Sequence, residues 1–478
     1  MKTSLINIYR TLAIVSFLII AIPSGIAQEE KVDHEKLDSR IHELIQKYNI
    51  PDADVIVIRN DSVIYRFSKN PVNANKNYLI GSCSKSFTAL SVMILSENGQ
   101  IDIDKPVKTY IPWFELKDIQ ETERITVRHL LNQTSGIGSQ YGFFDYPVND
   151  FSLYKSKLTE HLRKVELVNK PGEGFCYSNL NYLLLGFIME EVTDQKYIQF
   201  LSENVFSKIG MNRSYAGFNE DLLKNTLQPY QYLIFNKPHK TKIYPHSDYA
   251  AAYGNLSSNA MDLGYYLTFM INRGVTSEGD TLIAENSYNT LINPVKGNYA
   301  MGWMRFMHNK KDMIIHTGLD ENYSAIMAVC LKERLGIAVL SNINSLQFCS
   351  LAQSSVMDML ENNPFPDQFS FELILRWLPG SLAVLSLSLL LFNLYRWKKY
   401  SMKVGIIIKT LPILRLIIGI GLSFAGILLV QKYYSISIFS VIDYQPDIVM
   451  SFILIFIFGS LSSIVRHLGT YSRINTTS

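Results

Sequence analysis

The pattern of apolar and polar positions divides the chain into two parts, and the first part alternates short periodic groups with polar segments. Helical spacing predicts a one-sided helix near its start, with an apolar face formed by Leu37, Ile41, Leu44, Ile45 and Tyr48. Residues 53–59 and 62–67 are β-rich and joined by Asn60-Asp61, which predicts a hairpin. Two further strands are predicted at 324–331 and 336–340, and a closing helix at 345–361. Residues 82–253 between them read mostly as helix and loop. Strands at both ends with helices inserted between them predict an α/β (α+β) domain with an antiparallel sheet.

The C-terminal part, residues 368–478, is a predicted membrane region with long apolar runs. Spans are expected near 377–395, 411–430 and 448–465, and the first is long enough to cross about 30 Å of hydrocarbon. Basic residues lie between the first two runs and after the third, at Arg396, Lys398, Lys399, Lys403, Arg466 and Arg473. The positive-inside rule therefore predicts that this loop and the C-terminus are cytoplasmic.

The N-terminus has the features of an export signal. Lys2 and Arg10 precede the apolar run 11–22, and Gly25 and Ala27 are small residues at the positions that a signal peptidase reads. The expected signal peptide is 1–27, and failure to cleave it would leave an anchor. Both outcomes predict a multi-pass cell-membrane protein whose domain 28–367 is periplasmic or extracellular.

Composition narrows the possible partners. A formal net charge of +3 over 478 residues indicates no nucleic-acid partner. Four cysteines are too few for a disulfide scaffold; a Cys83–Cys176 bridge is conceivable, but buried thiols are favoured. The sequence has no C-x-x-C motif, histidine-rich cluster or glycine-rich phosphate loop, so no metal or cofactor is expected. The oligomeric state stays open.

Ser82 and Lys85 form an S-x-x-K pair at the start of an apolar segment. On a helix, residues three apart share one face, so the amine can reach the hydroxyl, and a dry pocket would lower its pKa enough for it to act as a base. A second match, Ser152 and Lys155, lies in a polar stretch. Ser82 instead precedes a predicted buried helix at 87–95, whose N-terminal N–H groups suit an oxyanion. We therefore predict that Ser82 is the nucleophile.

Two further groups follow in order, Tyr177-Ser178-Asn179 and His316-Thr317-Gly318. A Y-x-N match alone is weak, and Tyr253-Gly254-Asn255 is a second one. Their order after Ser82 and Lys85 is the informative feature. Supporting segments are 125–136, Pro171-Gly172-Glu173, 183–186, Met301-Gly302-Trp303 and Leu340-Ser341-Asn342.

With these motifs the chain resembles the serine β-lactamase-related hydrolases, a group of class C β-lactamases, penicillin-binding proteins, esterases and D-amino-acid peptidases. The resemblance implies a β-lactamase/transpeptidase-like fold and acylation of Ser82 with Lys85 and Tyr177 sharing the role of base. Tyr177 would also protonate the leaving group, and Asn179 would hold Lys85 and the substrate amide. Backbone N–H groups of Ser82 and Leu319 would form the oxyanion hole, with Leu319 on a strand that follows His316-Thr317-Gly318.

The substrate-binding strand departs from the pattern of many relatives. His316 stands where they have lysine, so a free substrate carboxylate should matter less, whereas Thr317 and Gly318 keep the family's form. Leu319-Asp320-Glu321-Asn322 replaces a glycine-rich turn and should alter the rim of the site. His316 favours ester or D-amino-acid amide substrates over penicillins or free D-Ala-D-Ala ends, whereas the rim leaves open which acyl or leaving group fits.

The resemblance implies a membrane-anchored serine acyl hydrolase acting outside the cytoplasm. Its partners would be the lipid bilayer and a small-molecule or peptidoglycan-like acyl substrate, namely an ester, a D-amino-acid amide or peptide, or a β-lactam. The alternatives are a penicillin-sensing receptor that is acylated without turnover, or an envelope-binding module. The short predicted cytoplasmic segments argue against a sensor, and the complete set of catalytic groups argues against a mere binding module.

Overall fold

The computed structural model describes residues 33–365 apart from 143, 145, 147 and 234, and then 370–399, 425, 428 and 446–474. The predicted signal peptide lies outside the described residues. So does the predicted second span, 411–430, except for two positions.

The strands form one large sheet and two small ones. They are β1 Ala53–Arg59, β2 Ser62–Ser68, β3 Tyr78–Leu79, β4 Tyr230–Leu233, β5 Lys237–Lys240, β6 Ser257–Ser258, β7 Met304–His308, β8 Lys311–Leu319, β9 Ser324–Cys330 and β10 Leu335–Ser341. The α-helices are His34–Tyr48, Ser84–Glu97, Ile119–Thr122, Val127–Leu131, Phe151–Leu162, Asn179–Thr193, Tyr197–Leu201, Ser207–Ile209, Glu220–Asn225, Ala260–Ile271, Glu285–Ile292, Leu346–Leu360, Phe371–Lys399 and Pro446–Ile474.

The large sheet is antiparallel, with the strand order β2-β1-β10-β9-β8-β7. It joins the two ends of the domain, because β1 pairs with β10 along its whole length. Both faces of β1 are buried, and its apolar side chains alternate between two cores. Ile56 and Ile58 face the core beneath the helical insertion, whereas Val55 and Val57 face the core beneath the terminal helices. The sheet is therefore a layer between two groups of helices, as the α+β prediction requires.

Most of the predicted elements are confirmed within a residue or three, but the hairpin β4–β5, the two-residue strands β3 and β6, and the strands β7 and β8 are additions. The hairpin β4–β5 was not predicted because β5 is fully exposed and carries no alternating apolar face. The edge strand β7 is likewise mostly solvent-facing. Both strands therefore lack the periodic signal on which a strand prediction depends.

The first predicted membrane span, 377–395, lies inside the helix Phe371–Lys399, and the third, 448–465, inside Pro446–Ile474. Among the described residues, Phe371–Tyr395 is the one helical segment long and apolar enough to cross a membrane. The apolar stretch Asp447–Ser463 is shorter. One candidate span is thus supported, rather than about three.

A buried ionic cluster joins these two helices to the sheet domain. The guanidinium of Arg376 donates to the Asp447 carboxylate at 2.8 Å and to the backbone carbonyl of Asn344 at 3.1 Å. Glu372 accepts from the Ser345 hydroxyl at 2.8 Å. Because Asn344 and Ser345 lie within four residues of the end of β10, both helices contact the domain near the end of a central strand.

Candidate active site

Ser82 lies in a tight turn, Gly81–Cys83, between β3 and the helix Ser84–Glu97. Gly81 has a φ of +52°, and a Cβ there would lie 2.5 Å from the backbone nitrogen of Leu319. Glycine is therefore required both by the left-handed backbone and by the close approach of β8. The Ser84 hydroxyl donates to the Gly81 carbonyl at 2.7 Å and accepts from the Leu256 N–H at 3.2 Å, which fixes the turn.

Lys85 is fully buried on the first turn of that helix. Its amine nitrogen lies 3.0 Å from the Ser82 hydroxyl oxygen, 2.7 Å from Asn179 Oδ1 and 2.6 Å from the Tyr253 carbonyl oxygen. Burial lowers the pKa of Lys85 well below its usual value, because the charged form loses its hydration. A neutral amine has two N–H donors and one lone pair. Asn179 and Tyr253 can take the two donors, which leaves the lone pair for the Ser82 hydroxyl.

Tyr177 lies beside Lys85 and Ser82. Its ring centroid is 5.0 Å from the Lys85 amine, and its hydroxyl is close enough to Ser82 for the serine to affect its pKa. Burial raises the pKa of Tyr177 well above its usual value, and neighbouring Tyr299 raises it further. The phenol therefore stays protonated at neutral pH.

Gln133 holds the segment that carries Tyr177 and Asn179. Its side-chain carbonyl accepts from the Ser178 N–H at 2.9 Å and from the Asn181 amide at 2.5 Å. Its own backbone has a φ of +57°, which is uncommon outside glycine. Gln133 lies within the supporting segment 125–136, but the sequence pattern assigned it no role.

The end of β8 packs against the Ser82 turn. The Cys83 thiol donates to the His316 carbonyl at 3.3 Å, and a Cβ on Gly318 would lie 1.9 Å from the Ile80 carbonyl oxygen. Gly318 thus lets two backbones touch. The predicted position of Leu319 on a later strand is wrong: β8 runs through His316-Thr317-Gly318 and ends at Leu319. The β8 strand itself is what brings the Leu319 backbone beside the Ser82 turn.

His316 is buried, with 2% of its surface exposed. Its Nε2 lies 3.4 Å from the Tyr299 hydroxyl, and its Nδ1 lies 2.7 Å from the Thr317 carbonyl oxygen. Burial is the main cause that lowers the pKa of His316 to about 3, and the nearby Lys85 amine contributes to this shift. His316 is therefore neutral at pH 7 and provides no positive charge, whereas Thr317 beside it is partly exposed.

Tyr299 is a site residue that the sequence did not single out. Its buried ring packs edge-on against Tyr177 and His316, each at a centroid distance of 5.9 Å. It packs against Phe175 in a tilted arrangement at 5.6 Å. Tyr299 therefore connects Tyr177 and His316 on one side of the site. Its position two residues before Met301-Gly302-Trp303 was the available signal.

The competing motif matches are separated from the site. Ser152 is exposed on the helix Phe151–Leu162, and Lys155 forms an ion pair with Glu191 at 3.2 Å. Tyr253 contributes its backbone carbonyl rather than its hydroxyl to Lys85. All four cysteines are free thiols, as favoured from the sequence.

Residues 37–352 match the beta-lactamase family of proteins. Protein flp of Staphylococcus aureus (strain MRSA252) is 28% identical over 392 residues, which cover 76% of this chain and 74% of that protein. Penicillin-binding protein 4* of Bacillus subtilis (strain 168) is 26% identical over 324 residues, which cover 61% and 68%.

Solved structures share the fold. An octameric penicillin-binding protein homologue from Pyrococcus abyssi superposes with a TM-score of 0.61 at 25% identity, covering 72% of this chain and 81% of that one. A class C beta-lactamase superposes with a TM-score of 0.58 at 19% identity, covering 71% of this chain and 99% of that one.

Proposed function

The chain belongs to the beta-lactamase family, and we propose that it is a membrane-anchored serine acyl hydrolase that works through a covalent acyl-enzyme on Ser82. The observation that carries this proposal is the buried Lys85 amine, which lies 3.0 Å from the Ser82 hydroxyl. A serine hydroxyl is a weak nucleophile at neutral pH and needs an adjacent base. A lysine with a lowered pKa supplies one.

Acylation follows from this arrangement. The Ser82 oxygen attacks the substrate carbonyl carbon while its proton passes to the Lys85 amine. Backbone N–H groups of Ser82 and Leu319 stabilise the negative oxygen of the tetrahedral intermediate. The protonated Tyr177 donates to the leaving group as the carbonyl re-forms, and Lys85 returns a proton to Tyr177. Deacylation uses the same groups in the reverse order. Water attacks the carbonyl carbon of the acyl-enzyme, and the Ser82 oxygen leaves and takes back its proton.

The raised pKa of Tyr177 and the lowered pKa of Lys85 assign different tasks to the two residues. A group that stays protonated at pH 7 suits proton donation, whereas one that loses its proton suits proton abstraction. We infer that Lys85 is the principal base in acylation and that Tyr177 is the acid.

The substrate class follows from the neutral His316. Without a fixed cation there, a free carboxylate on the substrate gains little, which favours an ester or a D-amino-acid amide over a β-lactam. Among solved structures of similar fold is a D-stereospecific amidohydrolase from Streptomyces sp., with a TM-score of 0.54. That protein is 21% identical and is an amidohydrolase, which agrees with the proposal of an amide substrate.

We infer that the domain works outside the cytoplasm at a membrane. The support is the N-terminal export signal, the candidate span Phe371–Tyr395 and the basic residues that follow it. The same charge pattern favours a cytoplasmic C-terminus.

A substrate panel run on the full-length protein and on Ser82→Ala tests the proposal. It contains activated esters, D-amino-acid amides, D-amino-acid peptides and β-lactams. We expect turnover of an ester or amide by the wild type and none by Ser82→Ala. Equal turnover by both, or none by either, would remove the hydrolase proposal. Stable acylation by penicillin without release would instead favour the sensor.

A further inference from the structure

Three potential metal ligands meet just beyond the end of β8. Asp320 and Glu321 begin the turn from β8 to β9, and His246 comes from the segment before the short helix Asp248–Ala252. One ligand atom from each residue lies within 4.8 Å of the other two. His246 Nε2 and Glu321 Oε2 are 3.8 Å apart.

The cluster is largely removed from solvent. Asp320 is 4% exposed, and the side chains of His246 and Glu321 are 14% and 18% exposed. In the part of the chain that the structure describes, no lysine or arginine forms an ion pair with either carboxylate. Two neighbouring buried carboxylates of this kind are stabilised by a bound cation.

The surrounding hydrogen bonds hold the ligands in place. The Asn322 N–H donates to the Asp320 carboxylate at 3.3 Å, and the Asn344 amide donates to the Asp320 backbone carbonyl at 2.7 Å. The Asn322 side chain also donates to the Lys242 carbonyl at 3.2 Å, which ties the chain segment leading to His246 to this turn. Ligands oriented by such outer contacts bind a metal more tightly.

Asn322 provides a separate indication of a ligand. It is completely buried, and its Oδ1 has no hydrogen-bond partner among the described residues. A buried acceptor without a donor is costly unless a cation or water satisfies it. Asn322 directly follows Asp320 and Glu321, so this buried acceptor belongs to the same turn as the two carboxylates.

We propose that His246, Asp320 and Glu321 bind a divalent transition-metal ion of the Zn²⁺ type at the rim of the active site. One imidazole and two carboxylates suit Zn²⁺ better than Ca²⁺ or Mg²⁺, which prefer oxygen ligands alone. The sequence predicted no metal. His246 lies more than 70 residues before the two carboxylates, so no local motif could indicate this site.

Such an ion would act on the neighbouring site through the backbone. Asp320 directly follows Leu319, whose N–H group faces the Ser82 turn, so a bound ion would restrain the end of β8. The proposal stands whether or not Ser82 is acylated, since the ligands do not include any of the groups of the proposed catalysis.

Zinc titration of the metal-stripped full-length protein in detergent tests the site, with ZnCl₂ alone as the probe. Calorimetry should show one equivalent bound, and the melting temperature should rise with Zn²⁺. Removing a ligand by His246→Ala or Glu321→Gln should weaken binding by at least about 100-fold. His239→Ala, on the exposed strand β5, is the matched control and should bind as the wild type does.

Each result decides the proposal. Circular dichroism and melting without zinc establish whether the variants are folded. If His246→Ala does not fold, the isosteric Glu321→Gln still tests the site. Wild-type affinity in both variants would place zinc elsewhere and overturn the site. Equal stabilisation by Mg²⁺ or Ca²⁺ would overturn the assignment to a transition metal, as would absence of binding in the wild type.

Discussion

The Lys85 amine nitrogen lies 3.0 Å from the Ser82 hydroxyl oxygen, and its two other partners are the neutral oxygens of Asn179 and Tyr253. Among the described residues no carboxylate forms an ion pair with Lys85, so no opposite charge offsets the cost of burying its charged form. This distinguishes Lys85 from surface lysines such as Lys155 and Lys164, which pair with glutamates. It also makes the protonation state of Lys85 the central chemical variable of the site.

Lys85→Arg should abolish most of the activity while keeping a positive charge. Arginine is not deprotonated in proteins, so it cannot take the Ser82 proton. We expect kcat/KM for an activated ester to fall by about 10²–10⁴-fold, the range typical of a lost general base. Lys155→Arg, from the surface S-x-x-K match, is the control and should retain wild-type kinetics. A Lys85→Arg enzyme with near-normal kcat/KM would contradict the assigned base.

Tyr177→Phe should separate the acid from the base. It removes the hydroxyl near Ser82 but keeps the ring that packs on Tyr299. We expect kcat for an amide to fall by about 10²-fold or more, and kcat for an ester with a good leaving group to fall less, because that group needs little protonation. Steady-state kinetics on both substrates measure the difference. Tyr265→Phe, an exposed tyrosine, should change neither. Equal losses on both substrates would argue against the role of acid.

Gly318→Ala should disrupt the contact between β8 and the Ser82 turn. The added methyl group would lie 1.9 Å from the Ile80 carbonyl oxygen, so one of the two backbones must move. Displacing an oxyanion donor costs about 10²–10³-fold in kcat, which sets the expected loss. Kinetics and melting temperature check it.

Gly254→Ala is the matched control for that substitution. A Cβ there meets no atom within 4 Å, and the backbone has no positive φ. It should therefore leave the melting temperature almost unchanged. If Gly318→Ala is equally silent, the close packing of β8 on the turn is not required.

His316 should make the protein less stable in mild acid. Its folded-state pKa of about 3 lies below the value of about 6.5 expected when unfolded. Above that unfolded value both states are neutral and the histidine has no effect. As the pH falls below the unfolded-state pKa, the unfolded chain binds a proton that the folded protein does not bind. Between pH 7 and pH 5 the histidine should therefore cost about 2 kcal/mol of unfolding free energy.

Denaturant unfolding of the wild type and His316→Asn at both pH values measures that contribution. The variant should lose less stability than the wild type on acidification, by about the same 2 kcal/mol. His42→Asn, at an exposed position, should follow the wild type. Identical losses in wild type and His316→Asn would show that His316 is not held neutral.

Arg376→Met should loosen the two C-terminal helices from the domain. It leaves Glu372 and Asp447 buried without their shared cation, and breaking a buried ion pair in this way typically costs about 3–5 kcal/mol. Unfolding in detergent measures the loss. Arg273→Met removes an exposed pair with Glu285 and should cost less than about 1 kcal/mol. Equal effects would mean that the buried cluster does not hold the helices.

The central architecture could be predicted because local sequence patterns specify most of its helices and strands. The helix at 37–48 carries a periodic apolar face, and the hairpin around Asn60 and the strands before and after 332–335 are short apolar runs next to turn residues; each of these elements is present. The strand β5 and the edge strand β7 lack such a face and could not be predicted that way. Periodicity reports burial rather than backbone conformation.

The sequence predicted those contacts of the site that are set by the spacing of two residues along one helix. Ser82 and Lys85 are one helical turn apart, so their contact follows from sequence. The contributions of Gln133 and the Tyr253 carbonyl do not, because they depend on how distant segments pack. The state of His316 is similar: its low pKa comes from burial against Tyr299 and from Lys85. No local pattern encodes those contacts.

The most direct test is to trap and locate the acyl group. The full-length protein is mixed with an activated ester, quenched in acid within the first turnovers, digested and analysed by mass spectrometry. One acyl group should appear on the peptide that contains Ser82, and it should be absent from Ser82→Ala but present in Ser152→Ala. An acyl group on another residue, or hydrolysis with no trapped intermediate and no dependence on Ser82, would contradict the account.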